Sequence, residues 1–274
     1  MGAGALSGGR YAGPIERKEA MEKGKRTVGI VLPTLNEIEG LKWFMPRLKK
    51  EWYDELLIVD GGSTDGTLEY CRQYGYPYFV QSGKGLANAN NEAFARTKAD
   101  ILVEATPDGN SLPELIPSLI AKMDEGYDMV VVSRYLPPAK SYDDDPVTAF
   151  GNRMFTFFIN VLFKAHYTDT LVGFRAWRRE AILKMSLHDQ FEQTWLKSRC
   201  MYMNCWDPAS SIRAAALKLK TAEIAGDEPV RIGGARKLSI VRNGFGILLE
   251  IFHEFFLGPG FYTRPERPYA KKAG

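Results

Sequence analysis

The chain has 274 residues, 45% of them hydrophobic and 25% charged, and its formal net charge is +3. This length and balance suffice for a full hydrophobic core and exclude a disordered or fibrous protein. No uninterrupted apolar run is long enough to cross a bilayer, so we expect no membrane-spanning helix. The three scattered cysteines fit neither a disulfide framework nor a four-ligand zinc site, which favours a reducing, cytoplasmic setting.

Apolar runs and helical patterns alternate along the chain, and this alternation predicts an α/β fold with a mostly parallel sheet flanked by helices. Residues 1–26 are rich in Gly, Ala and charge and are expected to form a flexible tail. Strands are predicted over residues 27–32, 56–60, 78–80, 100–104 and 129–133, with an edge strand over 217–225. Helices are predicted over residues 37–50, 64–73, 86–94, 112–123, 150–163, 191–203, 208–218 and 239–257.

Polar turns follow the first two predicted strands and lie at one edge of the sheet. In such a sheet the ligand crevice lies outside the carboxyl ends of the strands, so a nucleotide is the expected ligand. Asp60 ends the second strand with no evident capping task and is a candidate acceptor for a base or ribose donor. Gly61 and Gly62 allow a sharp turn beside the ligand, whereas Ser63 and Asp65 are interpreted as helix caps.

These two turns resemble the signature of glycosyltransferase family 2, in which Pro-Thr-x-Asn-Glu precedes Val-Asp-Gly-Gly-Ser-x-Asp-Gly-Thr. The resemblance implies a GT-A, Rossmann-like domain for nucleoside-diphosphate sugars, which we expect over residues 27–235. The nucleotide-sugar contacts expected on this basis are Pro33, Thr34, Asn36, Glu37, Asp60, Gly61, Gly62, Lys84, Gly85 and Asp108.

A third glycine-bearing turn, residues 82–85, lies directly before the helix that begins at Leu86. Backbone amides at this helix start are suited to a diphosphate, and Lys84 would add a point charge. An exposed turn lysine is also commonly just solvated, so both interpretations remain open.

The fourth predicted strand runs into Asp108-Gly109-Asn110. A sugar diphosphate needs a divalent cation with oxygen ligands, and by resemblance Asp108 and Asn110 occupy the two ligand positions of the Asp-x-Asp motif of the family. The expected cofactor is therefore Mg²⁺ or Mn²⁺, although Asn110 is an amide where the family has an acid. A turn that caps the following helix is the alternative interpretation.

The middle of the chain resembles the dolichyl-phosphate mannose synthase branch of this family. The resemblance lies in Ser-Arg-Tyr at 133–135 and in Asp-Thr-x-x-Gly-Phe-Arg-Ala-Trp at 169–177. It implies that Arg134 and Arg153 meet the phosphate of a polyprenyl acceptor and that Asp169 lines the acceptor side. A solvated Arg134 and an Asp169 that caps a helix or pairs with Arg175 are the alternatives.

The C-terminal region, residues 236–274, is expected to be an amphipathic helix with a basic tail. By resemblance, Arg236 and Lys237 also belong to acceptor-phosphate binding. On the helix, Phe245, Phe252 and Phe256 share one face and Glu250 and Glu254 the other. Such an apolar face either packs on the core or lies in a membrane surface, and the basic tail favours the membrane.

The sequence therefore predicts an inverting hexosyltransferase, with GDP and mannose favoured, that acts on a polyprenyl phosphate. The expected catalytic residues are Asp108, Asp169 and Arg134. We expect a peripheral protein on the cytoplasmic membrane face with no nucleic-acid partner. The alternatives are a soluble glycosyltransferase for a sugar or small phosphorylated acceptor, a nucleotidyltransferase, and a non-catalytic nucleotide-sugar-binding subunit.

Overall fold

The computed structural model describes residues 26–189, 205–233 and 240–261. Several sequence predictions lie outside these ranges: the N-terminal tail, the helix over 191–203, the phosphate contacts Arg236 and Lys237, and the basic C-terminal tail. The prediction of an α/β fold with a mostly parallel sheet is confirmed.

Seven strands form one sheet. They are β1 (Val28–Thr34), β2 (Glu55–Asp60), β3 (Tyr78–Val80), β4 (Ile101–Glu104), β5 (Met129–Ser133), β6 (Arg175–Arg178) and β7 (Thr221–Ala225). Their order is β3-β2-β1-β4-β6-β5-β7. All pairs are parallel except those of β6, which runs antiparallel to both β4 and β5. The sequence analysis missed β6 because its four residues carry arginine at both ends.

Eight α-helices lie in the described residues. They are α1 (Ile38–Phe44), α2 (Thr67–Tyr74), α3 (Leu86–Arg96), α4 (Ile116–Asp124), α5 (Pro146–Phe163), α6 (Arg179–Lys184), α7 (Trp206–Ala216) and α8 (Ile240–Leu257). The first predicted helix is shorter than expected because Pro46 lies in a 3₁₀ turn that follows α1.

The sheet has a hydrophobic layer on each face. Side chains alternate along a strand, so Ile30 and Leu32 of β1 join one layer and Val31 the other. The first layer contains α1, α2 and α4, and the second contains α3, α5, α7 and α8. Near-continuous apolar strands are therefore buried on both sides, as a mostly parallel sheet requires.

Helix α8 packs on α5 and α7 and buries charged side chains beside the apolar Ile247 and Ile251. Glu250 and Glu254 are fully buried, and Glu254 forms an ion pair with Arg213 of α7. Phe252 and Phe256 lie on the opposite face, and Phe256 is 81% exposed. In the described part of the chain, no helix combines the length and apolar character needed to cross a membrane.

Candidate active site at the carboxyl ends of the strands

A cavity of about 900 Å³ opens at the carboxyl ends of β1 and β2. Strands β2 and β3 lie on one side of β1 and β4 lies on the other, so the strand order reverses beside β1. In α/β sheets, ligands bind in the crevice at such a point. Of the predicted site residues, the cavity is lined by Pro33, Thr34, Glu37, Gly61, Lys84, Gly85 and Arg134. The remaining predicted residues that are described do not line it: Asn36, Asp60, Gly62, Asp108, Asn110, Arg153 and Asp169.

The two donor-side turns are held together by their own polar groups. Asn36 has a left-handed φ of 53°, its amide donates to the Ser63 hydroxyl, and its side-chain oxygen accepts from the Thr64 amide. Asp60 is fully buried and accepts from the amides of Gly62 and Ser63 at 2.8 Å each. The expectation that Asp60 has no capping task was wrong, because its carboxylate stabilises the turn that follows β2.

Asp65 fastens the same turns to the start of α1. Its carboxylate accepts from the Ile38 amide at 3.1 Å and from the Thr67 amide at 3.0 Å. Burial acts to raise the pKa of Asp65, but these hydrogen bonds, with that from the Thr67 hydroxyl, leave the pKa below its ordinary value. The Asp65 carboxylate is therefore anionic and links the two turns through helix-start amides, which agrees with its interpretation as a cap.

The Asp108-Gly109-Asn110 turn lies directly behind the cavity. Helix α1 packs closely on it at Gly40, where a Cβ atom would lie only 2.2 Å from the Pro107 carbonyl oxygen. Asp108 is buried, and its Oδ2 lies 2.9 Å from Nη1 of Arg231, which lines the cavity. Arg231 was not predicted as a site residue, although it lies five residues before Arg236, which was assigned to phosphate binding by resemblance.

These residues fit a divalent cation in part. The Asn110 side chain donates from Nδ2 to the Pro229 carbonyl, which fixes the amide, while its buried Oδ1 has no hydrogen-bond partner. One carboxylate and one orphaned amide oxygen are hard oxygen donors of the kind that Mg²⁺ and Mn²⁺ accept beside phosphate oxygens. No group of three or more His, Cys, Asp or Glu side chains that could hold a metal occurs within the described residues.

Arg134 reaches the cavity from the end of β5, but its guanidinium is already paired. Its Nε and Nη2 donate to the two carboxylate oxygens of Asp169 at 2.6 and 3.0 Å, and its Nη1 donates to Glu228 at 3.1 Å. Burial acts to raise the pKa of Asp169, yet the Arg134 charge holds it below its ordinary value. The alternative of a solvated Arg134 is wrong, and the predicted binding of a phosphate would have to compete with two carboxylates for the guanidinium.

Glu228 is a site residue that sequence reasoning missed. It lines the cavity, accepts from the Ser141 hydroxyl, and pairs with Arg134. Burial raises the pKa of Glu228 although Arg134 acts to lower it. Asp143 and Asp144 also line the cavity, and the Tyr135 hydroxyl donates to Asp144. The acidic residues of the loop that contains Asp143 and Asp144 are evident in the sequence, but the residues with which they pair are not.

The charge of the residues that line the cavity is unfavourable for an anionic ligand that binds without a cation. Among the described residues that line the cavity, three are basic, namely Lys84, Arg134 and Arg231, and four are acidic, namely Glu37, Asp143, Asp144 and Glu228. From these described residues a diphosphate meets a formal excess of negative charge unless a cation accompanies it.

The far end of the cavity is apolar and lies between α5 and α8. It is lined there by Val147, Phe150, Met154, Phe155 and Ile247. Phe158 of α5 and Phe252 of α8 lie with ring centroids 6.0 Å apart. The outer surfaces of the two helices expose the residues that we call the aromatic face: Val147, Phe150, Phe157, Val161, Phe245, Phe252, Phe255, Phe256 and Leu257.

Arg153 lies on this outer surface rather than in the cavity. It is exposed, does not line the cavity and stands four residues before the exposed Phe157, so it shares that side of α5. Lys164, the residue that follows α5, is also exposed. Two cations therefore accompany the aromatic residues.

The sheet order, the donor-side turns and the Asp108-Gly109-Asn110 turn together define a glycosyltransferase of the GT-A fold class. The family profile described as Glycosyl transferase family 2 matches residues 29–186, more than half of the chain. The chain belongs to glycosyl transferase family 2.

Three characterised or named relatives are similar to this chain over part of their length. Glycosyltransferase AglJ of Haloferax volcanii is 31% identical over 164 residues, which are 58% of this chain and 53% of that protein. Polyprenol monophosphomannose synthase of Mycolicibacterium smegmatis is 27% identical over 194 residues, 67% of this chain and 73% of that protein. The chain spans 34% of dolichol-phosphate mannosyltransferase of Pyrococcus furiosus, with 31% identity over 121 residues, which are 41% of this chain.

Solved structures resemble this fold over most of its length. Glucosyl-3-phosphoglycerate synthase of Mycobacterium tuberculosis, in complex with Mn²⁺, UDP and phosphoglyceric acid, has a TM-score of 0.61 at 19% identity. The match covers 88% of this chain and 81% of that one. At this identity the likeness concerns the fold, and it agrees with the GT-A class.

Proposed function

We propose that this protein transfers a hexose, with inversion, from a nucleoside diphosphate to the phosphate of a polyprenyl lipid at a membrane surface. The observation that carries the proposal is a single cavity that begins at the donor-side turns and ends between α5 and α8. Mannose and GDP are our preferred donor components, because the family resemblance and two of the relatives point to mannosyl transfer.

The donor would lie against the turns after β1 and β2. Pro33, Thr34, Glu37 and Gly61 line that end and are suited to the base and ribose. The diphosphate would lie near Lys84 and the start of α3, where free backbone amides and the helix dipole favour an anion. A rigid set of turns, braced by Asp60 and Asp65, would hold the sugar in one orientation.

A divalent cation suits the negative lining of the cavity. Asp108 and Asn110 are the residues that would hold Mg²⁺ or Mn²⁺, which would neutralise charge that develops on the departing diphosphate. These two residues are oriented by backbone contacts to the segment that contains Pro229 and Ile232.

The acceptor phosphate is already anionic near neutral pH, so the transfer needs no strongly tuned general base. We assign Arg134 to orienting the acceptor from the cavity wall, with Asp169 and Glu228 as the carboxylates that fix its guanidinium. Asp169 is then a positioning residue, because it is fully buried and reaches the cavity only through Arg134.

The aromatic face is suited to a membrane surface. An interfacial helix buries aromatic side chains at the boundary of headgroups and acyl chains and carries cations beside them. Each phenylalanine would contribute about 1.5–3 kcal/mol if fully buried, and each cation about 1 kcal/mol near anionic lipid. Arg153 and Lys164 supply such cations, and the lipid tail of the acceptor would leave the cavity between α5 and α8.

The test is a transfer assay with the full chain, Mn²⁺, and GDP-mannose or UDP-glucose as donors. A short-chain polyprenyl phosphate in detergent and phosphoglyceric acid serve as competing acceptors. We expect a glycosylated polyprenyl phosphate whose anomeric configuration, read by NMR, is inverted, and we expect Asp108→Ala to abolish its formation. Transfer to phosphoglyceric acid alone would establish the soluble alternative, and donor binding without any transfer would establish a non-catalytic subunit.

A further inference from the structure

A short segment covers the Asp108-Gly109-Asn110 turn. We call residues 228–233 the cover segment. Its Pro229 carbonyl accepts from Asn110 Nδ2 at 3.0 Å, and its Ile232 amide donates to the Asp108 carbonyl at 2.7 Å. Gly109 has a left-handed φ of 95°, and a Cβ there would lie 2.8 Å from the Ile232 side chain. The segment is thus in close contact with all three residues of the turn.

Both oxygens of the Asp108 carboxylate are occupied. Oδ2 lies 2.9 Å from Nη1 of Arg231, and Oδ1 accepts from the Asn110 amide at 3.2 Å. The Arg231 side chain is 25% exposed and lines the cavity, so its charge stands between Asp108 and the place where a diphosphate would enter. A guanidinium therefore holds the position on Asp108 that a divalent cation would need.

Asn110 Oδ1 supplies a second, independent observation. This oxygen is buried and has no hydrogen-bond partner among the described residues, an arrangement that costs about 1–3 kcal/mol. Because Arg231 is paired with Asp108 and the cover segment is bonded to the Asn110 side chain, we expect a cation to contact Asp108 and Asn110 together only after the guanidinium moves. The turn is therefore closed to a metal while Arg231 remains on Asp108.

The cover segment is attached to a loop that also lines the cavity. Tyr142 and Lys140 exchange backbone hydrogen bonds with Glu228 at 2.8 and 3.0 Å. The Arg231 amide donates to Asp143 Oδ1 at 3.2 Å, and the Arg231 Nε lies 3.8 Å from Asp143 Oδ2. Asp143 would keep the guanidinium near the cavity after it leaves Asp108.

We propose that Arg231 is an exchangeable counter-ion: it occupies Asp108 in the donor-free protein and moves to the donor diphosphate when the cation takes its place. This rests on the proposed use of a nucleoside-diphosphate donor. Cation and nucleotide then bind cooperatively, because the cation displaces the guanidinium from Asp108 and the diphosphate gives it a new partner. Arg231 acts as a positioning residue for the cation and a binding residue for the diphosphate.

The first arm of the test titrates Mn²⁺ alone, with free Mn²⁺ measured by electron paramagnetic resonance. Arg231→Gln should bind Mn²⁺ at least tenfold more tightly than the wild-type chain, because Asp108 loses its competing cation. Arg231→Lys keeps the charge and should stay within threefold of the wild type. Arg47→Gln, which removes an exposed cation paired with Glu114, is the matched control and should change nothing.

The second arm titrates GDP and UDP at saturating Mn²⁺ by calorimetry. Arg231→Gln should weaken the nucleotide that the wild type binds by at least tenfold, because the diphosphate loses a charge-assisted contact. The two arms move in opposite directions, whereas a collapsed cover segment would weaken both, so weakening of both would overturn the proposal. An unchanged Mn²⁺ affinity in Arg231→Gln would also overturn it.

Failure of the proposed function gives a different result from failure of this proposal. If neither nucleotide binds the wild-type chain with Mn²⁺, the donor assignment fails, and the first arm still reports on Asp108 and Arg231. Thermal melts of each variant establish that the chain is folded before either titration, and Asp108→Ala should abolish the gain in Mn²⁺ affinity when it is combined with Arg231→Gln.

Discussion

Helices α4 and α8 are both amphipathic, yet they differ in what they bury, because α8 buries carboxylates beside Ile247 and Ile251. In α4 the apolar side chains, Leu119 and Met123 among them, are fully buried beneath the sheet. In α8 the buried face includes Glu250 and Glu254, while Phe256 is exposed. A periodic pattern therefore establishes that a helix has two faces, but it does not establish which face packs on the core.

The inward polar face of α8 is stable because α7 supplies its partner. The Arg213 guanidinium donates to Glu254 Oε1 from both Nε and Nη2, and its Nη1 donates to the Met185 carbonyl at 2.9 Å. An apolar face that is left outside by such an arrangement marks an interaction surface rather than a core element. The first three predictions below test this contrast between the two helices, and the fourth compares Glu254 with another buried acid.

The largest effect is expected from Glu254→Ala. Loss of the carboxylate leaves Arg213 buried without its counter-charge, so the free energy of unfolding should fall by about 3–5 kcal/mol, measured by urea denaturation. Glu69→Ala, an exposed acid on α2, should change it by less than about 0.5 kcal/mol. A loss for Glu254→Ala as small as that of the control would show that the polar face of α8 is solvated.

The core-facing helix gives the next largest effect. Leu119→Ala in α4 should lower the free energy of unfolding by about 2–5 kcal/mol, because it opens a cavity in a fully buried layer. The corresponding truncation in α8, Phe256→Ala, should lower it by less than about 0.5 kcal/mol. Comparable losses at the two positions would mean that the aromatic face packs on further parts of the chain.

The aromatic face should instead govern membrane association. Phe252→Ser combined with Phe256→Ser should reduce partition into vesicles of anionic phospholipid by at least tenfold, since each ring would contribute about 1.5–3 kcal/mol when buried in lipid. Sedimentation of the full chain with vesicles measures this. Tyr74→Ser, which removes an exposed aromatic residue on α2, is the matched control and should leave partition unchanged. Equal partition of the double variant and the wild type would contradict a membrane role for this face.

Most of the fold followed from local patterns, because apolar runs of strand length and helical periods depend only on nearby residues. Strand β6 did not, since Arg175 is buried there and its charge is satisfied by the carbonyls of Val172 and Asp207, which no local pattern reveals. The sequence also left open which face of α8 packs inward, because Arg213, the partner of Glu254, lies 41 residues earlier in the chain.

The candidate site was predictable where backbone turns define it and unpredictable where charges pair. The turns that contain Pro33, Gly61 and Gly85 all line the cavity, as the strand-end rule implies. The partners of Arg134 and Arg231 were not predictable, because Glu228 and Asp143 reach them from loops distant in the sequence. The residue types indicate that charged side chains lie in this site, but only the tertiary structure determines which of them form ion pairs.

A second buried acid, Glu104, contrasts with Glu254 because it forms no ion pair with another described residue. Glu104 ends β4 and accepts from Asn90 through one oxygen, while the other oxygen has no partner. Asp207, Arg175 and Cys205 face it from α7, β6 and the residue before α7. Burial, followed by repulsion from Asp207, raises the pKa of Glu104 well above its ordinary value, and burial raises the pKa of Asp207 to about 6.

The smallest effect is expected from Glu104→Gln, and it depends on pH. A carboxyl whose pKa is raised by folding contributes stability at low pH, and this stability is lost as the pH rises through the raised value. Between about pH 4 and the raised pKa of Glu104, the wild-type chain should therefore lose stability relative to Glu104→Gln, which cannot ionise. At pH 4 the two should differ by less than about 1 kcal/mol, because the amide replaces a neutral carboxyl of the same shape and can still accept from Asn90. Urea denaturation at a series of pH values measures the difference, and two curves that stay parallel from pH 4 to pH 8 would show that folding does not raise the pKa of Glu104.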